Sequence, residues 1–162
     1  MNGSPTKKQE QQRGFTLLLA ALVSSIVLAL GISIFGLVQK QLILSSIGRD
    51  SQLAFYAADT AAECALYWDV RHRLFPTTTP KAVNLTCDTQ TKTTASTNQS
   101  GTIVSTFQFQ PNSFCVNVRV EKSHAPITGA VQTTVRADGF STGCSSIANS
   151  PRVLQRSVEL HY

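Results

Sequence analysis

Residues 15–38, Phe-Thr-Leu-Leu-Leu-Ala-Ala-Leu-Val-Ser-Ser-Ile-Val-Leu-Ala-Leu-Gly-Ile-Ser-Ile-Phe-Gly-Leu-Val, contain no charged side chain. As a helix rising ~1.5 Å per residue the run reaches about 36 Å, enough to cross the hydrocarbon core of a bilayer. Lys7, Lys8 and Arg13 precede it, so the positive-inside bias keeps the short N-terminus in the cytoplasm and carries the rest of the chain across. A secretory signal would end its apolar core after about 7–15 residues at a small-x-small cleavage site. This run is longer and passes into a helical pattern, which reads as a membrane anchor.

An anchor of that size limits what remains. From 162 residues, one compact head of roughly 90–120 residues is expected. Only 14% of the residues are charged, so Thr, Ser, Asn and Gln carry much of the solvation, as suits an exported surface. Lys7, Lys8 and Arg13 against Glu10 account for part of the formal charge of +5. The other basic residues are scattered rather than gathered into a run, and composition alone does not indicate a nucleic-acid partner.

The junction reads Lys7-Lys8-Gln9-Glu10-Gln11-Gln12-Arg13-Gly14-Phe15-Thr16-Leu17-Leu18: a short basic polar leader ending in Gly, then Phe and an aliphatic helix. It closely resembles the class III signal of type IV prepilins. The resemblance implies cleavage by a prepilin peptidase between Gly14 and Phe15, with N-methylation of the new terminal Phe15. It also implies a leader at 1–14 and an uncut anchor at 15–38 that doubles as an assembly core. The family usually has Glu at the fifth mature position, where this chain has Leu19. In a filament that carboxylate pairs with a neighbouring subunit's amine, and a charge in apolar surroundings is tolerable only when paired. Its replacement by Leu19 implies a minor subunit, as in type II secretion pseudopilins, whose tip subunit likewise lacks the Glu. Gly31 and Gly36, the latter where major pilins often carry Pro, are places for the anchor to bend or to pack closely.

Beyond Val38, Ile43, Ile47, Ala54, Ala58, Ala61 or Ala62, Ala65 and Trp68 recur at helical steps with no Pro before Pro76. This predicts an amphipathic continuation over 39–75 and a helix of about 55 residues. The narrow Ala stripe lets a sheet approach the helix axis closely. The segment 51–66, Ala-rich with a Tyr and spaced acidic residues, is similar to that following the anchor in minor pilins of the PilX kind. Residues 76–101, dense in Thr with Pro, Asn, Gln and Ser, read as a long exposed connection unable to build a core. Asn84-Leu85-Thr86 matches a glycosylation sequon, with little reason to expect its use in a bacterial pilin-like chain.

After Gly101 the period becomes two, predicting strands near 102–110, 113–122, 127–140 and 152–161. Turn chemistry at Pro111-Asn112, His124-Ala125-Pro126 and 143–151 separates them. The expected fold is α+β: a long N-terminal helix, its first half membrane-spanning, packed on an antiparallel sheet of about four strands at 102–162. The resemblance implies the same plan.

Cys64, Cys87, Cys115 and Cys144 stand more than twenty residues apart with no Cys-x-x-Cys pair, which argues against zinc. An even count outside the cytoplasm favours two disulfides. Of three possible pairings, Cys64 with Cys87 and Cys115 with Cys144 is preferred, the first tying the Thr-rich loop to the helix. Gly139-Phe140-Ser141-Thr142-Gly143 matches the nucleophile elbow formally, but lacks the strand-to-helix setting and enough chain for a hydrolase sheet, so it reads as a turn. His72, His124 and His161 lack ligand spacing, and Asp59 with Glu63 reads as solvated helix surface. No catalytic residue, metal or cofactor is expected.

The expectation is a minor type IV pilin or pseudopilin. Its implied partners are other pilin or pseudopilin subunits, the prepilin peptidase, an inner-membrane assembly platform and membrane lipid. The alternatives are a DNA- or surface-binding pilin using Arg119, Lys122 and Arg136 on the sheet, or a generic single-pass anchored domain outside the cytoplasm.

Overall fold

A computed structural model describes residues 7–162, with side chains from Gly14 onward. Most of the expected leader therefore lies outside the described residues. Helix α1 spans Lys7–His72 without a proline to interrupt it. It stops before the expected position 75 because Arg73 turns left-handed (φ 47°). Arg73 N–H then donates to Asp69 O (2.9 Å) and Leu74 N–H to Trp68 O (3.2 Å). The first of these bonds is that of the αL C-cap, with Arg in the place usually held by Gly.

The chain divides into two compact units between Ser46 and Ile47. In the first, the large apolar side chains of α1 are exposed, Phe15 at 67% and Leu28 at 67% among them. The second unit holds the rest of α1 and seven strands. β1 (Asn84–Cys87) and β2 (Gln90–Thr93) form an antiparallel hairpin. β3 (Ala95–Gln99), β4 (Thr102–Phe109), β5 (Val116–His124), β6 (Val131–Phe140) and β7 (Gln155–His161) form an antiparallel meander in chain order.

The core lies where Ala57, Ala61, Ala62 and Ala65 meet Phe107, Phe109 and the alternating valines of β5 and β6. Small helix residues allow close approach, and one site demands it. A Cβ on Gly139 of β6 would overlap the Ala54 carbonyl oxygen and come within 2.7 Å of Ala58 N. The expected α+β plan of a long helix on an antiparallel sheet is what the structure has.

The Thr-rich segment departs from expectation. Instead of an open connection it supplies β1, β2 and β3, and Leu85, Thr94 and Cys87 are at most 2% exposed. Thr is β-branched and suits a pleated surface, while the two buried side chains of β1 alternate with exposed Asn84 and Thr86. Two-residue turns close both hairpins, Asp88-Thr89 (φ 48° and 61°) and Ser100-Gly101 (φ 53° and 89°). Positive φ at both positions is the type I′ hairpin signature, and Asp-Thr is a weak sequence signal for it. The sheet thus has five strands rather than four. β5 begins at Val116 rather than 113 because Pro111–Ser113 forms a 3-10 turn. β6 begins at Val131 rather than 127, and β7 at Gln155 rather than 152.

Candidate functional site

The apolar part of α1 is long and apolar enough to cross a membrane, and none of its most apolar stretch is buried within the protein. Ser25 does not spoil that character. Ser25 Oγ donates to Leu22 O (2.8 Å), so the hydroxyl is satisfied by its own helix. Gly14, Phe15 and Leu19 all lie on α1, with Phe15 and Leu19 exposed. The helix runs unbroken through Gly31 and Gly36, and a Cβ at either would meet nothing within 4 Å.

In the head, two disulfides join Cys64 to Cys87 (Cα–Cα 6.0 Å) and Cys115 to Cys144 (4.6 Å), the expected pairing. The first fastens β1 to α1 beside Trp68, whose Nε1–H donates to Thr86 O (3.0 Å). The second joins the start of β5 to the turn after β6. The three histidines stay apart. His72 packs on Trp68 (ring centroids 4.7 Å apart), His124 sits against Gly129 O (3.2 Å), and His161 reaches Glu159 (2.9 Å). Among the described residues no group of three His, Cys, Asp or Glu could hold a metal. Gly139 and Phe140 belong to β6, so the turn starts only at Ser141, whose Oγ accepts from Leu154 N–H (3.0 Å).

Arg119, Lys122 and Arg136 all lie on the sheet, as expected, but strand parity divides them between its two faces. Residues 116, 118, 120 and 122 of β5 face the helix, whereas Arg119 faces away. Arg119 lies opposite Arg136 on β6, and acidic residues neutralise both. Arg119 pairs with Glu121, and Arg136 with Asp138 (3.2 Å) and Glu159 (3.9 Å). Little unneutralised charge is left there for a polyanion.

Lys122 instead sits 8% exposed in a cross-strand row. It is opposite Thr133, and Thr133 exchanges backbone hydrogen bonds with Tyr162 (2.8 and 3.0 Å). Lys122 Nζ donates to Asp69 Oδ2 (2.7 Å) and to Thr133 Oγ1 (3.3 Å). Tyr162 donates its phenol to the same Asp69 oxygen (2.8 Å). Asp69 is 5% exposed, and its Oδ1 has no hydrogen-bond partner among the described residues. Burial, then the hydrogen bond and charge of Asp69, push the Tyr162 phenol above its ordinary range.

Taking two charges out of water costs several kcal/mol per ion, and an apolar pair of similar volume is often no less stable. The pair therefore calls for a reason beyond stability, and its surroundings supply a setting. It forms the floor of an open cleft of about 680 Å³ walled by residues 73–81. Sequence reasoning missed Asp69 and Tyr162. The available signal was polarity out of place: Asp69 follows Ala65 by one helical turn on the buried stripe, and Lys122 continues the alternation of Val116, Val118 and Val120.

No protein-family model matches the chain, and no curated protein or solved structure matches it.

Proposed function

We propose that the chain is a minor type IV pilin or pseudopilin, processed at Gly14, held in the inner membrane by α1 and assembled into or onto a filament. The observation that carries this reading is the basic leader ending in Gly14-Phe15 directly before an apolar run that is exposed and continues unbroken into the helix of a disulfide-bonded head. Large apolar side chains exposed at half their area or more from Phe15 to Leu37 require lipid before assembly and neighbouring helices after it. Two disulfides fit a head outside the cytoplasm.

Leu19 takes the place of the carboxylate that would pair with a neighbour's amine, which supports a minor position at the filament tip. Residence there predicts that Leu19→Glu changes the subunit's abundance or place in filaments; unchanged placement removes the tip assignment. The decisive experiment is intact mass and N-terminal analysis after production alongside the cognate prepilin peptidase. A chain beginning at N-methylated Phe15 is expected. An intact Met1 start overturns the reading and leaves an anchored domain outside the cytoplasm.

A further inference from the structure

The cleft over the Asp69–Lys122 pair has more positive charge than its own walls neutralise. Asp69 is the one acidic side chain among its described lining residues and is already paired with Lys122. Arg73 and Lys81 also line it, and neither forms an ion pair among the described residues. A cleft of about 680 Å³ falls within the range of small-molecule sites, roughly 300–1,000 Å³. Concave, low-dielectric walls strengthen the attraction of such unneutralised cations for an anion.

The other wall groups narrow the kind of anion. Thr77, Thr78 and Thr79 line the cleft with hydroxyls that have no hydrogen-bond partner among the described residues. Val70, Phe75 and Val131 add apolar surface. The floor is held still, since Lys122, Thr133 and Tyr162 stand in one sheet row, Lys122 and Tyr162 are bonded to Asp69, and Lys122 is bonded to Thr133. A ligand that satisfies all of these carries a carboxylate for Arg73 and Lys81, several hydroxyls for the threonines, and an apolar face. Nucleic acid fits poorly, because its backbone calls for a groove of cations with aromatic platforms along it.

We propose that this cleft binds an acidic sugar, a uronic acid unit free or within an acidic polysaccharide. Arg73 and Lys81 take its carboxylate and Thr77–Thr79 its hydroxyls. The site does not depend on the pilin reading, since it needs only the folded head and no filament.

The test is a titration of the full chain in detergent micelles with D-glucuronate, D-glucose and inorganic phosphate, followed by NMR of Thr- and Tyr-labelled protein. Glucuronate is expected to shift the Thr77–Thr79 and Tyr162 signals saturably, with glucose and phosphate each about 10-fold weaker or more, the size expected for losing a charged hydrogen bond. Arg73→Asn with Lys81→Gln is expected to weaken glucuronate by at least about 10-fold. Asn tolerates the left-handed backbone at position 73, and unchanged Trp68 fluorescence reports an intact head. Equal binding of glucose, equal binding of phosphate, retention of binding in the double variant, or no saturable shift would each overturn the proposal.

Discussion

The two stretches of α1 on either side of Ser46 share one helix and solve opposite problems. Before Ser46 the helix displays Leu, Ile, Val and Phe at 45% to 72% of their area. After it, the buried apolar positions are alanines, among them Ala54, Ala58, Ala61 and Ala65 at 0% exposure. Hydrophobicity alone would rank the first stretch as the better core. Size decides instead: small residues let the sheet sit on the helix backbone, and the large ones are left for a surround that is not part of this chain. The second stretch also bears the polar anchor points of the head, Asp69 and Cys64, which have no counterpart between Phe15 and Val38.

The sharpest way to break this contrast is to remove the polar anchor. Lys122→Met leaves Asp69 buried without its cation and is expected to destabilise the head by about 3–5 kcal/mol. The additional change Asp69→Leu is expected to restore most of that. Trp68 is the lone tryptophan and lies at the junction of α1 with β1, so denaturant unfolding followed by its fluorescence reads the head directly. A double variant as unstable as the single would show that packing, not charge pairing, sets the cost. Next in size is the covalent anchor. Cys64→Ala with Cys87→Ala opens a link across a separation of 23 residues, with an expected loss of ~3–4 kcal/mol by the same assay. A loss under about 1 kcal/mol would mean that the hairpin β1–β2 docks on α1 without it.

How far these features were readable follows the same line between size and polarity. The anchor, the Ala stripe and the alternation in β4 to β7 are patterns of apolar residues, and each was legible because its period is long enough to count. The hairpin β1–β2 was not, since four-residue strands of Asn, Thr, Lys and Gln offer only Leu85 and Cys87 as buried positions. Its Asp88-Thr89 turn has none of the Gly that usually marks such a bend. The floor of the cleft joins residues 69, 122, 133 and 162, and only the strand register and the helix position bring them together. Naming Lys122 with Arg119 and Arg136 as a DNA- or surface-binding residue followed from its type, whereas parity within β5 puts it inside.

The contact between the helix and β6 tests size itself. Gly139→Ala introduces a Cβ against Ala54 O and Ala58 and is expected to cost about 1–3 kcal/mol. On the other stretch, Leu28→Ala removes far more volume from a side chain 67% exposed and is expected to leave head stability within about 0.5 kcal/mol. If Leu28→Ala destabilised the head as much as Gly139→Ala, the two stretches would not be energetically separate.

The smallest expected effect concerns Tyr162, which hydrogen-bonds to the second stretch at Asp69. Tyr162→Phe removes one hydrogen bond to a charged acceptor, about 1 kcal/mol at neutral pH for a partly exposed group. Its pH dependence is more telling than its size. The folded phenol is held above its ordinary range by burial and by Asp69, whereas an unfolded tyrosine releases its proton near pH 10. Below that, both states keep the proton and the contact contributes in full. Above it, the unfolded chain loses the proton first, so wild-type stability falls as pH rises, a slope that Tyr162→Phe lacks. The gap between the two unfolding midpoints is therefore expected to narrow from about pH 10 upward. A gap constant through that range, or tyrosinate absorbance from Tyr162 appearing below it, would separate Tyr162 from Asp69 and leave Lys122 as the one ionic tie between the helix and the sheet.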